Sequence, residues 1–434
     1  MRSRRERQAR IAVAVVWIGG LALALRLGIG AVDPSQVLGL LLAAYLGAWG
    51  LTFFLRPSAT TANAARFLVA TAALGLALGL VELPALLGRV DYRDVFQTPT
   101  ASWRRHDHRS DADLIYVRDG NRRERRRFVG GELAGLSGVG AKVVYESNVL
   151  YDAQGFRNPR VVDKADIVVV GDSFVEGLHV ADSELMTSGL ARETGLSVVN
   201  LGRSGDGPQQ ERHVLERFGL PKRPKACVWV FYEGNDLEDA AEYETNRAAV
   251  ANLGPISPSR VLYERSFVRN SLMYARRAWI APEKTRPASR YQGTFSSRGK
   301  DVTMTFASDD HRRVTDPAKL AKAVAAIREA ASLCDRDGVR LVVAFVPTKV
   351  RVYRDLCRFP ADTAVASPPP DDLAGRLRKA ITEGGRDVTF VDLTPRFHDE
   401  AARGELLYLA DDTHWTTAGH ALAAKVIGEQ RVSR

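Results

Sequence analysis

Cysteine is scarce in this chain, with three residues among 434: Cys227, Cys334 and Cys357. An odd number cannot all pair internally, and the spacings match no zinc pattern. Neither a disulfide framework nor a zinc module therefore organises the fold. Buried small apolar side chains are the ordinary reading, with a Cys334–Cys357 disulfide open in an oxidising compartment. Histidine is also sparse, at 8 residues. His106 and His108 flank Asp107, but with no other ligand nearby no metal site is predicted. No cofactor and no nucleic-acid partner are predicted either. Disorder of the chain as a whole is excluded by a composition of 45% apolar and 26% charged residues. The net charge is +10, part of it in the Arg-rich head Met1–Arg10. The length suffices for more than one unit and a sizeable core.

Long apolar runs are confined to the first ninety residues. Ile11–Leu25 is apolar, Arg26 interrupts, and Leu27–Val32 continues; Val37–Leu55 and Phe67–Leu87 follow. Each is about long enough for a bilayer core of roughly 30 Å at about 1.5 Å per residue. Their Gly and Ala content suits closely packed membrane helices. A signal peptide competes for the first run alone and leaves the other two unexplained. Residues 1–88 are thus predicted to be a membrane module of three helices. Arginines crowd the head (Arg2, Arg4, Arg5, Arg7, Arg10) and bound the second connection (Arg56, Arg66), whereas the first connection has Arg26 and Asp33. The positive-inside rule then puts the N-terminus in the cytoplasm and everything after Gly88 outside it, in a multi-pass inner or plasma membrane protein.

Residues 89–164 read as an extracytoplasmic connector. They hold the basic run Arg122-Arg-Glu-Arg-Arg-Arg127, a solvated charged face or a contact for anionic headgroups or an acidic polymer. From Ala165 short β-branched runs alternate with helix-like stretches. The runs are Asp166–Val170, Ser197–Leu201, Ala226–Tyr232, Arg340–Val346 and Val388–Leu393. Between several of them lie Asp182–Glu193, Gln209–Phe218, Pro317–Asp335 and Asp371–Glu383. This alternation predicts an α/β domain over 165–434 with a mostly parallel five-stranded sheet. Residues 238–313 read as an insertion, a lid or a partner surface, containing the alternating piece Asp301–Phe306.

Ligand sites in open α/β sheets lie beyond the carboxyl ends of the strands. The first run exits at Gly171-Asp172-Ser173-Phe174 and the second into Asn200-Leu-Gly-Arg-Ser-Gly205. The third exits into Glu233-Gly-Asn-Asp236, and the last leads to Asp411-Asp412-Thr413-His414-Trp415. A serine is a poor nucleophile at neutral pH and needs an adjacent base. His414 can be that base, with Asp411 or Asp412 fixing its tautomer. The backbone N–H groups of Ser173 and Gly205 and the amide of Asn235 can form an oxyanion hole. Each piece alone has an ordinary structural reading, as turn glycine, helix cap or packed surface histidine. The signal is four pieces in order, each near a strand exit or in the final loop.

These blocks resemble those of the SGNH (GDSL-type) hydrolase superfamily over about Asn148–Gln430. The resemblance implies a three-layer α/β/α, flavodoxin-like fold and acyl-ester chemistry. Asp412-Thr-His-Trp-Thr416 is further similar to the motif of the alginate O-acetyltransferase group, as is Val346-Pro-Thr-Lys-Val-Arg-Val-Tyr353. In that group the acid stands two residues before the histidine, which implies Asp412; in ordinary SGNH esterases the Asp-x-x-His spacing implies Asp411. That group also carries its Asp-x-His motif before the serine, whereas here it follows. The expectation is a membrane-anchored extracytoplasmic serine esterase or O-acyltransferase. Its substrate would be an acylated, in the first place O-acetylated, cell-surface glycan or a small acyl ester. A membrane acyl-donor protein is a candidate partner, and a non-catalytic polysaccharide-binding or assembly component is the alternative.

Overall fold

Strands covered on both faces read as continuous apolar runs, and each of the five runs forms a strand of one sheet. The structure is a computed structural model. It describes residues 34–55, 60–96, 108–133, 144–251, 258–280, 288–307, 316–365, 372–385 and 387–430. In chain order come α1 (Pro34–Leu55), α2 (Thr60–Leu86) and the single turn α3 (Tyr92–Val95). Two antiparallel pairs follow: β1 (His108–Asp111) with β2 (Ile115–Arg118), and β3 (Arg122–Val129) with β4 (Val144–Tyr151). Next are β5 (Ile167–Val170), α4 (Ser173–Glu176), α5 (Met186–Thr194), β6 (Val198–Asn200), α6 (Pro208–Val214), β7 (Ala226–Tyr232) and α7 (Asp236–Ala251). Then come α8 (Pro258–Arg265), α9 (Phe267–Ile280), β8 (Gln292–Ser297) and β9 (Lys300–Thr305). The chain closes with α10 (Pro317–Arg336), β10 (Arg340–Val346), α11 (Lys349–Tyr353), β11 (Cys357–Arg358), α12 (Leu373–Thr382), β12 (Val388–Asp392), α13 (Thr394–Ala402) and α14 (Thr417–Gly428).

The main sheet has the order β12-β10-β7-β5-β6, and every pairing in it is parallel. Side chains alternate across it. Ile167 and Val169 face one apolar layer with Met186 and Leu190 of α5 and Leu422 and Val426 of α14. Val168 and Val170 face the other with Val214 of α6, Leu320 and Ile327 of α10 and Leu377 of α12. The chain leaves β5 for β6 on one side and returns to β7 on the other. That reversal is the switch point where loops diverge and leave a crevice.

The chain forms two compact units: residues 1–101 with 254–285, and residues 102–253 with 286–434. In the first, α1 and α2 coincide with the second and third apolar runs, while the first run lies outside the described residues. Among the described residues one segment, Thr61–Leu86 within α2, is long and apolar enough to cross a membrane by length and composition. In the second unit, β1–β4 share a body with the main sheet. Residues 238–313 divide between the units: α8 and α9 belong to the first, and the hairpin β8–β9 to the second. Cys227, Cys334 and Cys357 are free thiols.

Candidate active site

The serine loop is tight because Gly171 leaves no room for a side chain. A Cβ there would lie 2.5 Å from Val175 Cγ2 and 3.1 Å from Val230 Cβ. Asp172 Oδ1 accepts the Phe174 N–H (2.9 Å), so the chain turns into α4 with Ser173 as its first residue. Ser173 therefore stands at the end of β5, at the switch point.

His414 approaches from the stretch before α14. Leu409 N–H donates to the His414 carbonyl (2.9 Å), closing the loop Leu409–His414. Trp415 is buried against Phe174 and Phe397, with ring centroids 4.9 Å and 5.5 Å away, and this fixes where its neighbour emerges. His414 Nε2 lies 2.7 Å from Ser173 Oγ, and Nδ1 lies 2.6 Å from Asp412 Oδ1. Asp412 Oδ1 also accepts the His414 backbone N–H at 2.9 Å.

The two neighbouring aspartates, equivalent in the sequence, part here. Asp412 meets the imidazole. Asp411 turns to the polar stretch before the sheet, where Oδ2 accepts Gly131 N–H (2.9 Å) and Oδ1 accepts the Tyr145 hydroxyl (2.5 Å). The same stretch reaches Asp412, whose Oδ2 accepts Glu132 N–H (2.8 Å). Gly131 is required by close approach, since a Cβ would sit 2.3 Å from the Asp411 carbonyl oxygen. His179 Nε2 lies 3.6 Å from Asp412 Oδ2, and its ring lies 5.1 Å from that of His414.

Electrostatics follow from these partners. Burial opposes ionisation of Asp412, but the His414 hydrogen bond and the charges of His414 and His179 outweigh it and hold the carboxyl well below its usual range. Burial likewise opposes the His414 imidazolium. The hydrogen bond to Asp412, with the charges of Asp412, Glu132 and Asp172, prevails and raises it to about 9. Burial takes His179 down to about 4, despite Asp412.

Lys349 anchors the loop from below. It is fully buried, and its Nζ donates to three carbonyls, those of Leu409 (2.9 Å), Ala410 (3.2 Å) and Asp412 (2.8 Å). Tyr353 of the same α11 segment donates to the Glu405 carbonyl and accepts Leu407 N–H, both at 2.7 Å. Tyr408 donates back to the Pro347 carbonyl at 2.5 Å. The Pro347–Tyr353 segment is thus a clamp on the stretch that carries Asp412 and His414.

The opposite side holds Gly205 and Asn235. Gly205 has φ +82° in the turn after β6. That turn is fixed by the buried pair Arg203–Asp206 (2.7 Å) and by Tyr116, whose hydroxyl donates to the Ser204 carbonyl (2.8 Å). Glu176, fully buried at the end of α4, accepts Ser204 N–H (2.7 Å), the Ser204 hydroxyl (2.6 Å) and the Tyr151 hydroxyl (2.6 Å), and pairs with Arg118. Asn235 Nδ2 donates to Asp239 Oδ2 (2.7 Å) and to Asp172 Oδ2 (3.4 Å). The Ser173 hydroxyl also lies 3.4 Å from Asp172 Oδ2, so one carboxylate oxygen faces both groups. Behind Asn235 the acids crowd. Burial first, then neighbouring carboxylates, pushes Asp239 up to about 8 and Glu211 and Asp236 well above their usual range.

Ser173, His414 and Asp412 form one hydrogen-bonded chain, Asn235 meets Ser173 through Asp172, Asp411 sits one step behind Asp412, and Gly205 lies in the turn after β6. The supporting groups Glu132, Tyr145, Glu176 and His179 were not read from the sequence. A glutamate closing the apolar stretch Phe174-Val-Glu176 was the one local hint. Among the described residues, one trio of metal-type donors lies within 4.8 Å of one another, His179, Asp412 and His414. Both His414 nitrogens are engaged, by Asp412 and by Ser173, and His179 Nε2 stands 3.6 Å from Asp412 Oδ2.

Residues 298–433 match the family model of the SGNH hydrolase-like domain of the acetyltransferase AlgX. The resemblance to the SGNH superfamily therefore includes its AlgX-like branch. The matched span holds Lys349, Asp412 and His414; Ser173 lies before it. No curated protein matches the chain. Among solved structures, a mutant of the acetyl-xylooligosaccharide esterase Axe2 from Geobacillus stearothermophilus is 14% identical, with a TM-score of 0.34 over 63% of this chain and 96% of that one. The acetyl xylan esterase Est2A from Butyrivibrio proteoclasticus is 11% identical, with a TM-score of 0.29 over 62% of this chain and 64% of that one.

Proposed function

We propose that this protein is a serine O-acyl esterase or O-acyltransferase working through an acyl-enzyme, with O-acetyl groups of a carbohydrate as substrate. The observation that carries this reading is the continuous chain Ser173 Oγ–His414–Asp412, with contacts of 2.7 and 2.6 Å, at the mouth of a parallel sheet. The acetyltransferase description of the matched family supports acetyl as the group. In this scheme Ser173 Oγ attacks the acyl carbonyl as its proton passes to His414 Nε2, and Asp412 stabilises the imidazolium. The backbone N–H groups of Ser173 and Gly205 and the Asn235 amide receive the oxyanion. Collapse breaks the acyl C–O bond, and the imidazolium protonates the leaving sugar oxygen. Water or a second sugar hydroxyl then releases the acyl group from Ser173.

Anchoring is part of the proposal. The apolar α2, with the apolar runs before it, supports a membrane anchor, and the arginine distribution supports an extracytoplasmic Ser173 site acting on a cell-surface polymer. The test is an activated acetyl ester given to the full chain with and without an oligosaccharide acceptor. Acetylated acceptor formed above the hydrolysis background assigns transfer, and free acetate alone assigns an esterase. Equal inactivity of wild type and Ser173→Ala across donors and acceptors overturns the catalytic reading.

A further inference from the structure

The segment 254–285 leaves the sequence of the sheet-bearing unit and belongs to the unit of α1 and α2. Its attachment there is specific. Glu82, near the end of α2, spends its carboxylate on the start of α9. Oε1 accepts the Ser266 hydroxyl (2.7 Å) and Val268 N–H (2.8 Å), and Oε2 accepts Phe267 N–H (2.9 Å). An anion at a helix N-terminus satisfies donors that the helix cannot and complements its dipole. Just beyond α2, buried Arg93 pairs with Asp91 (2.7 Å) and with Glu264 of α8 (3.2 Å). Tyr92 donates to the Val81 carbonyl (2.9 Å), and its ring meets Phe267 edge-on at 5.1 Å. Phe96 bridges Phe267 (5.5 Å) and Tyr274 (5.8 Å). The end of α2 is thus ringed by ion pairs and aromatic side chains.

The outward side of this assembly is apolar. On α2, Leu76 (67%), Leu80 (60%), Leu83 and Leu86 are exposed, and Leu87 follows at 64%. On α8 and α9, Leu262, Tyr263 and Tyr274 (55%) are exposed as well. A row of exposed leucines closed by tyrosines and buried ion pairs has the layering of a membrane boundary, where tyrosine sits with its ring in the apolar zone and its hydroxyl in water. Glu82 ties α9 to the end of that row.

We infer that α8 and α9 form an interfacial hairpin seated in the lipid boundary, held there by the Glu82 cap, so that the protein touches the bilayer through its insertion as well as through α2. The occupant of the exposed face is lipid. This rests on the membrane reading above, and the test separates the two. Spin labels are placed one at a time at Leu76 (L76C), Tyr274 (Y274C) and exposed Lys300 (K300C) of the full chain carrying Cys357→Ser, since Cys227 and Cys334 are buried, in phosphatidylcholine/phosphatidylglycerol nanodiscs. Oxygen and a water-soluble nickel chelate serve as collision probes. The expected result is an oxygen-favoured label at both 76 and 274, with 274 about 5–10 Å inside the boundary, and a nickel-favoured label at 300. Adding Glu82→Ala is expected to shift the 274 label toward nickel and leave the 76 label unchanged. A nickel-favoured 274 label beside an oxygen-favoured 76 label overturns the hairpin and spares the anchor. Nickel-favoured labels at both overturn the anchor too. A 274 label shielded from both probes means that protein covers this face, and the lipid assignment fails. A 274 label unmoved by Glu82→Ala overturns the cap as the device that seats the hairpin.

Discussion

On the histidine side of Ser173, buried Asp412 receives donors from His414 and Glu132 and is held ionised. On the asparagine side, Asp236 and Glu211 are buried and Asp239 is half-buried. Each of Asp236 and Asp239 accepts a neutral N–H, but among the described residues no cation faces them, and burial with neighbouring carboxylates drives all three carboxyls up. Burial is common to both sides; the supply of donors and counter-charge differs. A general base needs a fixed negative charge behind it. An oxyanion donor is weakened by one, because a carboxylate competes for the amide that must stabilise the intermediate. The asymmetry suits the two jobs.

The largest expected effects test the histidine side. Asp412→Asn is expected to lower kcat on an activated acetyl ester by about 10⁴-fold, as loss of the orienting carboxylate does in serine triads. Asp411→Asn removes hydrogen bonds one step away and is expected to cost less than about tenfold. Equal losses in the two variants would sink the assignment of Asp412. The pH profile sharpens the same point. His414 must be neutral to take the serine proton, so kcat/KM is expected to rise with pH through about 9. Asp412→Asn removes the carboxylate that holds the proton on, and the limb should move to lower pH. A shift to higher pH contradicts the described electrostatics.

Asn235→Ala is expected to cost about 10²- to 10³-fold in kcat with KM little changed, the loss typical of one oxyanion donor. A rise in KM with constant kcat would place Asn235 in substrate binding instead. Next comes Lys349→Met. Three carbonyls of the His414 loop lose their common donor, and a displacement of about 1 Å at that loop can cost about 10²-fold. Lys349→Arg should recover part of the loss if positive charge is what gathers those carbonyls. Recovery to wild-type rate by Lys349→Met would reduce the residue to packing.

How much of this could be read beforehand depends on how local the signal is. The five strands of the sheet were legible because Ile167–Val170 or Ala226–Tyr232 are apolar at every position, which only doubly covered strands need to be. The hairpin β3–β4 was not legible. In Arg122–Arg126 exposed and half-buried side chains alternate, yet nearly all are arginine, so the period is hidden in a charge run. The strand exits pointed to Ser173 and Asn235, which meet through Asp172, and the final loop to His414, which contacts Ser173. The partition of Asp411 and Asp412 did not, because it is decided by Gly131, Glu132 and Tyr145, about 270 residues away in sequence. Lys349 stood out only as a motif; its burial under three carbonyls is a tertiary fact.

The smallest effect tests the asparagine side. Asp239 titrates near about 8 in the folded protein, against an ordinary value of about 3.9 in an unfolded chain. The folded state therefore holds a proton that the unfolded state releases. Stability attached to this group is fully present below about pH 4 and is lost as pH rises toward about 8. Asp239→Asn cannot ionise, so it should match wild type in thermal unfolding at pH 4 and exceed it at pH 9. A gain of about 1 kcal/mol corresponds to about 2–4 °C in Tm for a domain of this size. A variant less stable than wild type at pH 9 would mean that Asp239 is held ionised by donors, like Asp412, and the contrast between the two sides of Ser173 would close.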